Sequence, residues 1–181
     1  MKNKLKKSTN VFSGKIIDVY VDDVIINNID TKREVVKKRS GVVIVPFDDE
    51  GNLYLVKQYR YPVNEYLIEF PAGIIDKGEG IIEAAIRELE EEIGYTAEII
   101  IPLGFIYSSP GFSDEKIYMC AIKVDEFVGQ DLDDEEDIEV LKMSFKEFER
   151  QYINRGLIDD SKTLSAYLKF SLSGVFNVVI N

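Results

Sequence analysis

The stretch from Pro71 to Ile100, PAGIIDKGEGIIEAAIRELEEEIGYTAEII, constrains this chain more than any other part of it. It sets Gly73, Glu79, Arg87, Glu88, Glu91, Glu92 and Gly94 at fixed offsets along one loop and one helix. Between Gly80 and Ile93 the apolar residues Ile82, Ala85, Ile86, Leu89 and Ile93 recur at helical spacing, which predicts a helix packing that face on the core. Glu88, Glu91 and Glu92 stand at i, i+3 and i+4 and are expected to converge on a neighbouring face. Like charges so spaced destabilise a bare helix by roughly 0.2–0.5 kcal/mol per pair. A divalent cation would turn that cost into a gain.

Taken alone, a glutamate-rich helix face is ordinarily solvated surface. Three neighbours argue otherwise. Gly73 lies where the chain must turn between the apolar run Tyr66 to Phe70 and the helix, and glycine permits a positive φ and close approach by a ligand. Glu79 stands at the helix entrance, where a carboxylate favours the positive end of the macrodipole and is within reach of Arg87. Gly94 then ends the helix as a left-handed cap would.

Together these residues spell G-x5-E-x7-R-E-U-x-E-E-x-G-U, with U a bulky apolar residue, and the pattern resembles the signature of the Nudix hydrolases. Gly73, Glu79, Arg87, Glu88, Leu89, Glu91, Glu92, Gly94 and Tyr95 fill its nine specified positions without a gap. The resemblance implies hydrolysis of a nucleoside diphosphate linked to another moiety. Upstream, VKQYRYP (Val56 to Pro62) and LIEFPAG (Leu67 to Gly73) look like the ADP-ribose pyrophosphatase branch. Downstream, SSPGFSDEKIY (Ser108 to Tyr118) carries Pro110 sixteen residues after Gly94, a spacing similar to that branch. The acidic segment DLDDEEDIEV (Asp131 to Val140) resembles the loop from which such enzymes present a catalytic glutamate, and VFSGKIIDVYVDDV (Val11 to Val24) resembles their first strands.

The resemblance implies a set of roles. Glu88, Glu91 and Glu92, with the backbone carbonyl of Ala72, are the implied ligands of two or more Mg2+ ions, with Mn2+ as the alternative ion. Glu136 is the candidate for orienting or deprotonating the attacking water, although Asp131 to Asp137 also reads as a solvated charge run, and Asp134 or Glu135 would serve if the loop shifts. Glu91 and Arg87 complete the catalytic set, Arg87 as an orienting residue paired with a carboxylate. Arg60 and Arg33 are candidates for phosphate or ribose contacts, because a guanidinium fork matches those oxygens, and each reads equally as a surface ion pair. Gly111 would let a loop approach the terminal ribose, or is a plain turn. The branch implies a homodimer whose amino-terminal strands exchange between subunits and help build the adenine site. Tyr20 and Phe47 are candidates there, or core and dimer packing.

Composition agrees with this reading and excludes others. The chain has 181 residues, 45% of them hydrophobic, enough to bury one core. Its 33 acidic against 22 basic residues, a net charge of −11, argue against nucleic-acid binding. The chain has no histidine, so neither a Ser-His nor a Cys-His nucleophile is available and zinc loses its usual nitrogen ligand. Carboxylates and a hard cation such as Mg2+ remain. The single cysteine, Cys120, excludes an internal disulfide and reads as a buried small hydrophobe in IYMCAIKV. No apolar run approaches the roughly 20 residues of a membrane span, and Met1 to Asn10 lacks the apolar core of a signal peptide. A soluble cytoplasmic protein is expected.

Three segments are expected: residues 1–10 as a loose tail made basic by Lys2, Lys4, Lys6 and Lys7, residues 11–40 as amino-terminal strands that dimerise, and residues 41–181 as the catalytic domain. Strands are read at Lys15 to Asn27, Gly41 to Phe47, Leu53 to Tyr59, Ile99 to Tyr107, Ile117 to Val124 and Ile138 to Met143, with a hairpin turn at Asp48 to Asn52. Ser144 with Glu147 makes a capping box that opens a helix at Phe145, and another helix runs from Ser161 to Leu172, stopped by Gly174. The fold class is α+β, a mixed α/β/α sandwich with an amino-terminal antiparallel strand region.

Overall fold

Strand β4 (Gly41–Phe47) shows how the molecule is layered. Successive side chains of a strand point to opposite faces. Val42 and Ile44 therefore pack with Ala84, Ala85, Leu89 and Ile93, while Val43, Val45 and Phe47 pack with Phe148, Ala166 and Phe170. The first group belongs to helix α1 (Ile81–Ile93) and the second to α2 (Phe145–Phe148) and α3 (Ser161–Ser173), so the sheet is sandwiched between helices. This computed structural model describes residues 3–133 and 136–175.

The central sheet runs β10-β5-β4-β9-β8, where β5 is Asn52–Arg60, β8 Tyr95–Tyr107, β9 Lys116–Phe127 and β10 Ile138–Ser144. Strands β4 and β9 are parallel, and the β5–β10 and β8–β9 pairs are antiparallel. Two short strands complete it: β6 (Glu65–Glu69) pairs with β5, and β7 (Ala72–Ile74) pairs with β4. The run through Phe70 and Pro71 thus carries the chain from β5 across to β4, directly before α1. The expected sandwich is what the structure has. Cys120 is buried beneath α1, as expected of a small hydrophobe.

Ahead of it, β1 (Asn3–Ser13), β2 (Ile17–Ile26) and β3 (Ile29–Lys38) form a separate antiparallel sheet. Residues 3–10 therefore differ from the loose tail expected from composition: they pair with β2 from Asn3↔Ile26 onward, and Lys6 pairs with Asp30. The backbone ladder orders this segment where its side chains, all exposed, do not. Lys2 lies outside the described residues. The arm meets the sandwich at Val36, whose N–H donates to Phe112 O (2.8 Å), and at the Lys38–Glu115 ion pair.

The hairpin between β4 and β5 closes on Asp48. Its carboxylate accepts from the N–H groups of Glu50 (3.0 Å) and Asn52 (2.9 Å), from the Tyr54 hydroxyl (3.1 Å) and from Lys142 (2.9 Å). Burial opposes its ionisation, but Lys142 and Asn52 prevail and hold its pKa at about 2. Asp48→Ala leaves these donors without their acceptor and is expected to cost about 1–3 kcal/mol in equilibrium urea unfolding. Wild-type stability is expected to fall as pH drops from about 4 towards 2, where this carboxylate takes up its proton.

Candidate active site

The site is built where β7 meets α1. Gly80 is the N-cap of the helix, and the Glu83 carboxylate accepts from the Gly80 N–H (2.8 Å). Gly94 ends it at φ 79° in the left-handed region, its N–H on the carbonyls of Glu90 and Leu89. The Val128 N–H then donates to Gly94 O (2.8 Å), the Asp131 N–H to Glu91 O (3.1 Å) and the Gln130 side chain to Glu92 O (2.6 Å). The last carbonyls of the helix, which have no partner within it, are thus satisfied by the loop that leads to Glu136.

The buried face of α1 differs from the expected one. Ala84, Ala85, Glu88, Leu89, Glu92 and Ile93 are buried, while Ile82 is 39% exposed. Two of the three glutamates therefore lie on the core side of the helix, at 7% (Glu88) and 3% (Glu92) exposure, and only the Glu91 side chain, at 37%, reaches solvent. Hydrophobic spacing alone placed this face one position off, because carboxylates fill the part of it that faces β7.

Gly73 also plays a different part from the turn expected of it. It lies within β7, paired with Val42, and is not among the positive-φ residues. A Cβ at this position would come 1.8 Å from a Glu88 carboxylate oxygen. The missing side chain makes room for Glu88.

Arg87 ties the site together. Nε donates to Glu79 Oε1 (2.9 Å), Nη2 to Glu79 Oε2 and Ile74 O (both 3.1 Å), and Nη1 to Glu88 Oε1 and Glu91 Oε2 (both 2.8 Å). All five of its donors are used. The pairing of Arg87 with Glu79 is the one read from the sequence. Its pKa lies above the ordinary arginine value, chiefly through Glu79.

A cleft of about 470 Å³ brings together Ala72, Gly73, Arg87, Glu88, Glu91, Glu92 and Glu136, and takes in Arg60, Gln58, Asp131 and Asp133. Gln58, Asp131 and Asp133 were not singled out from the sequence. Only the acidity of the loop pointed towards the two aspartates. Asp134 and Glu135, the alternatives to Glu136, lie outside the described residues. Arg33 and Gly111 do not line this cleft. Arg33 is exposed on β3, where Nη1 donates to Lys32 O (2.7 Å), and Gly111 sits in the exposed turn closed by Ser113 N–H to Ser109 O (2.9 Å). Phe47 is fully buried in the core and is excluded as an adenine contact within the chain, while Tyr20 is half-buried on β2 under the Lys37 ammonium.

Burial pushes the Glu88 carboxyl up to about 7, against the pull of Arg87. Burial, with Glu88 and Glu136 beside it, pushes Glu92 to about 8. Glu92 Oε2 is buried with no hydrogen-bond partner, an arrangement that costs free energy unless a cation or proton meets it. Among the described residues no three acidic side chains are arranged to hold an ion as they stand. Arg87 Nη1 lies between Glu88 and Glu91. The donor set nevertheless fits a hard divalent cation: carboxylate oxygens, one of them orphaned, beside a backbone strand whose glycine leaves space.

These residues and their fold define a Nudix hydrolase, and the chain belongs to that family: the family model described as NUDIX domain matches residues 37–161. Among curated relatives it is 37% identical over 150 residues to an ADP-ribose pyrophosphatase of Bacillus subtilis (strain 168), covering 81% of each chain. It is likewise 37% identical over 168 residues to the methanol dehydrogenase activator of Bacillus methanolicus, covering 90% of this chain and 89% of the relative. A crystal structure described as an ADP compounds hydrolase superposes with a TM-score of 0.84 over 96% of this chain and 95% of that one, at 22% sequence identity, and so shares the fold.

Because Glu88 and Glu92 hold protons to higher pH in the fold than at the ordinary 4.5, the metal-free native chain binds more protons than the unfolded chain between about pH 4.5 and 8. Stability therefore falls as pH rises through that window. In chelator, Tm is expected to decrease from pH 5.5 to 8.5, and Glu92→Gln is expected to flatten the slope. A wild-type Tm that is level or rises over that range would contradict the assignment.

Proposed function

We propose that this chain hydrolyses the diphosphate of ADP-ribose to AMP and ribose 5-phosphate. The observation that carries the reading is the cleft in which Glu88, Glu91, Glu92, Ala72 and Glu136 meet Arg60. The ADP-ribose pyrophosphatase among its relatives supports the choice of substrate. Other nucleoside diphosphate sugars are the alternative within the same chemistry. A non-catalytic ADP-ribose sensor is disfavoured, since Glu88, Glu91 and Glu92 are all present.

A diphosphate resists hydrolysis because its negative charge repels a nucleophile. Two or more Mg2+ ions, or Mn2+, would neutralise the phosphate oxygens and lower the pKa of the attacking water. Glu88, Glu91, Glu92 and the Ala72 carbonyl are the residues to hold them. Glu136, on the loop facing the helix, orients that water and accepts its proton. Arg87 keeps Glu88 and Glu91 at the cleft while staying bound to Glu79. Arg60 brings a guanidinium to the diphosphate, the positive charge that a chain of net −11 must concentrate locally.

The working unit of this reading is a homodimer in the cytoplasm. The arm supports a dimer: among the described residues β1 to β3 form a sheet with no buried hydrophobic core of their own, and Leu5, Val11, Phe12, Ile16 and Ile29 stand exposed on or beside it. Arg33, which does not line the cleft of its own chain, would then serve the partner's site, and Gly111 would remain a turn residue.

AMP release from ADP-ribose, beside a panel of ADP-sugars and nucleoside triphosphates, tests the assignment. Turnover is expected to favour ADP-ribose and to stop in excess chelator. Glu136→Gln is expected to lower kcat by roughly 10²–10⁴-fold, the range for losing a general base, with Tm unchanged. Preference for another panel member would overturn the substrate, and full activity in chelator would overturn the metal site.

A further inference from the structure

The cleft has a neighbour. A second cavity of about 360 Å³, lined by Lys38, Glu115 and Lys162 among others, shares the wall Arg60, Ala72, Gly73 and Ile74 with the first. Arg60 reaches both, and what holds it there is a four-membered ion network. Its Nε donates to Glu69 Oε1 (2.9 Å) and its Nη2 to Glu69 Oε2 (2.7 Å). Glu69 is only 1% exposed, and its Oε2 also accepts from Lys162. Lys162 in turn pairs with Asp160 (3.1 Å).

The network joins three elements: Arg60 ends β5, Glu69 ends β6, and Asp160 and Lys162 stand at the start of α3. Glu69 lies two residues before the Pro71 that opens the signature stretch. Asp160 is the N-cap of α3, accepting from the Thr163 N–H (2.9 Å) and the Thr163 hydroxyl (2.6 Å). Thr163 Oγ1 accepts from the Phe70 N–H (2.9 Å), so the first turn of α3 is fastened to the end of β6. The network is neutral overall, two cations against two carboxylates.

A bidentate pair uses the Nε edge of the Arg60 fork and leaves Nη1 without a protein partner among the described residues. If Lys162 were neutral, Arg60 would be the sole cation against two carboxylates. Its charge would then be spent on the network rather than offered to an anion in the cleft. We propose that Lys162 is a positioning residue for diphosphate binding: by neutralising Glu69 together with Asp160, it holds the Arg60 fork so that Nη1 is free for a phosphate oxygen. This deepens the proposed diphosphate hydrolysis and rests on it.

The two cations act as a unit, and that is what a double-mutant cycle reads. Lys162→Met is expected to raise KM for ADP-ribose about tenfold with kcat changed less than about threefold, because the lost interaction serves binding of substrate and transition state alike. In an Arg60→Met background the same change is expected to alter KM less than about twofold. The Kd for AMP, which needs no turnover, is expected to follow the same pattern. Lys162→Gln, which keeps a donor without the charge, replaces Lys162→Met in the cycle if that variant does not fold. Losses from Arg60→Met and Lys162→Met that multiply independently in KM or in Kd would overturn the proposal and leave Lys162 a fold residue only. Wild-type turnover on the diphosphate panel reports separately on the underlying reading: if no diphosphate is hydrolysed, that reading fails and this one with it.

Discussion

One guanidinium organises the site. Arg87 has five N–H donors and all five are engaged: three on Glu79 and the Ile74 carbonyl, two on Glu88 and Glu91. Through them the loop before the helix, the end of β7 and the helix itself are joined at a single side chain. A lysine could not replace it, since three donors on a rotating ammonium cannot match three carboxylates and a carbonyl at fixed angles. The spacing of Glu79, Arg87, Glu88 and Glu91 along the chain follows from this one requirement.

The same arrangement leaves a charge imbalance. Arg87 supplies one positive charge to three carboxylates, and Glu92 lies deeper with an oxygen that has no partner. Desolvation holds protons on Glu88 and Glu92 up to about 7 and about 8. Carboxyl groups buried where ionisation is unfavourable are a sign of function rather than of stability. Gly73 belongs to the same logic, since any side chain there would collide with Glu88.

Much of this was legible in the sequence, and the exceptions have physical causes. The nine-position signature identified the helix, its left-handed cap at Gly94 and the partnership of Arg87 with Glu79, because short-range spacing determines each of them. The same periodicity misjudged which face is buried, since it counts apolar residues and so cannot place Glu88 and Glu92 on the core side. Strand β1 was missed because its polar, lysine-rich segment is ordered only by pairing with β2, a contact made across a chain reversal. Phe47 read from the sequence either as an adenine contact or as packing, and alternation along β4 decides for packing by turning it to the α3 side of the sheet, against Phe170. The network of Glu69, Arg60, Lys162 and Asp160 escaped because its cations lie about a hundred residues apart in the chain and only the tertiary fold unites them.

The central claim is that a divalent cation displaces protons from carboxylates held neutral by burial. Calorimetric titration of the metal-free protein with Mg2+ at pH 7, repeated in buffers of different ionisation enthalpy, measures this directly. The account predicts a heat that varies with the buffer and corresponds to release of on the order of one proton per chain, given groups titrating near 7 and 8. A binding heat independent of the buffer, with no proton released, would contradict it.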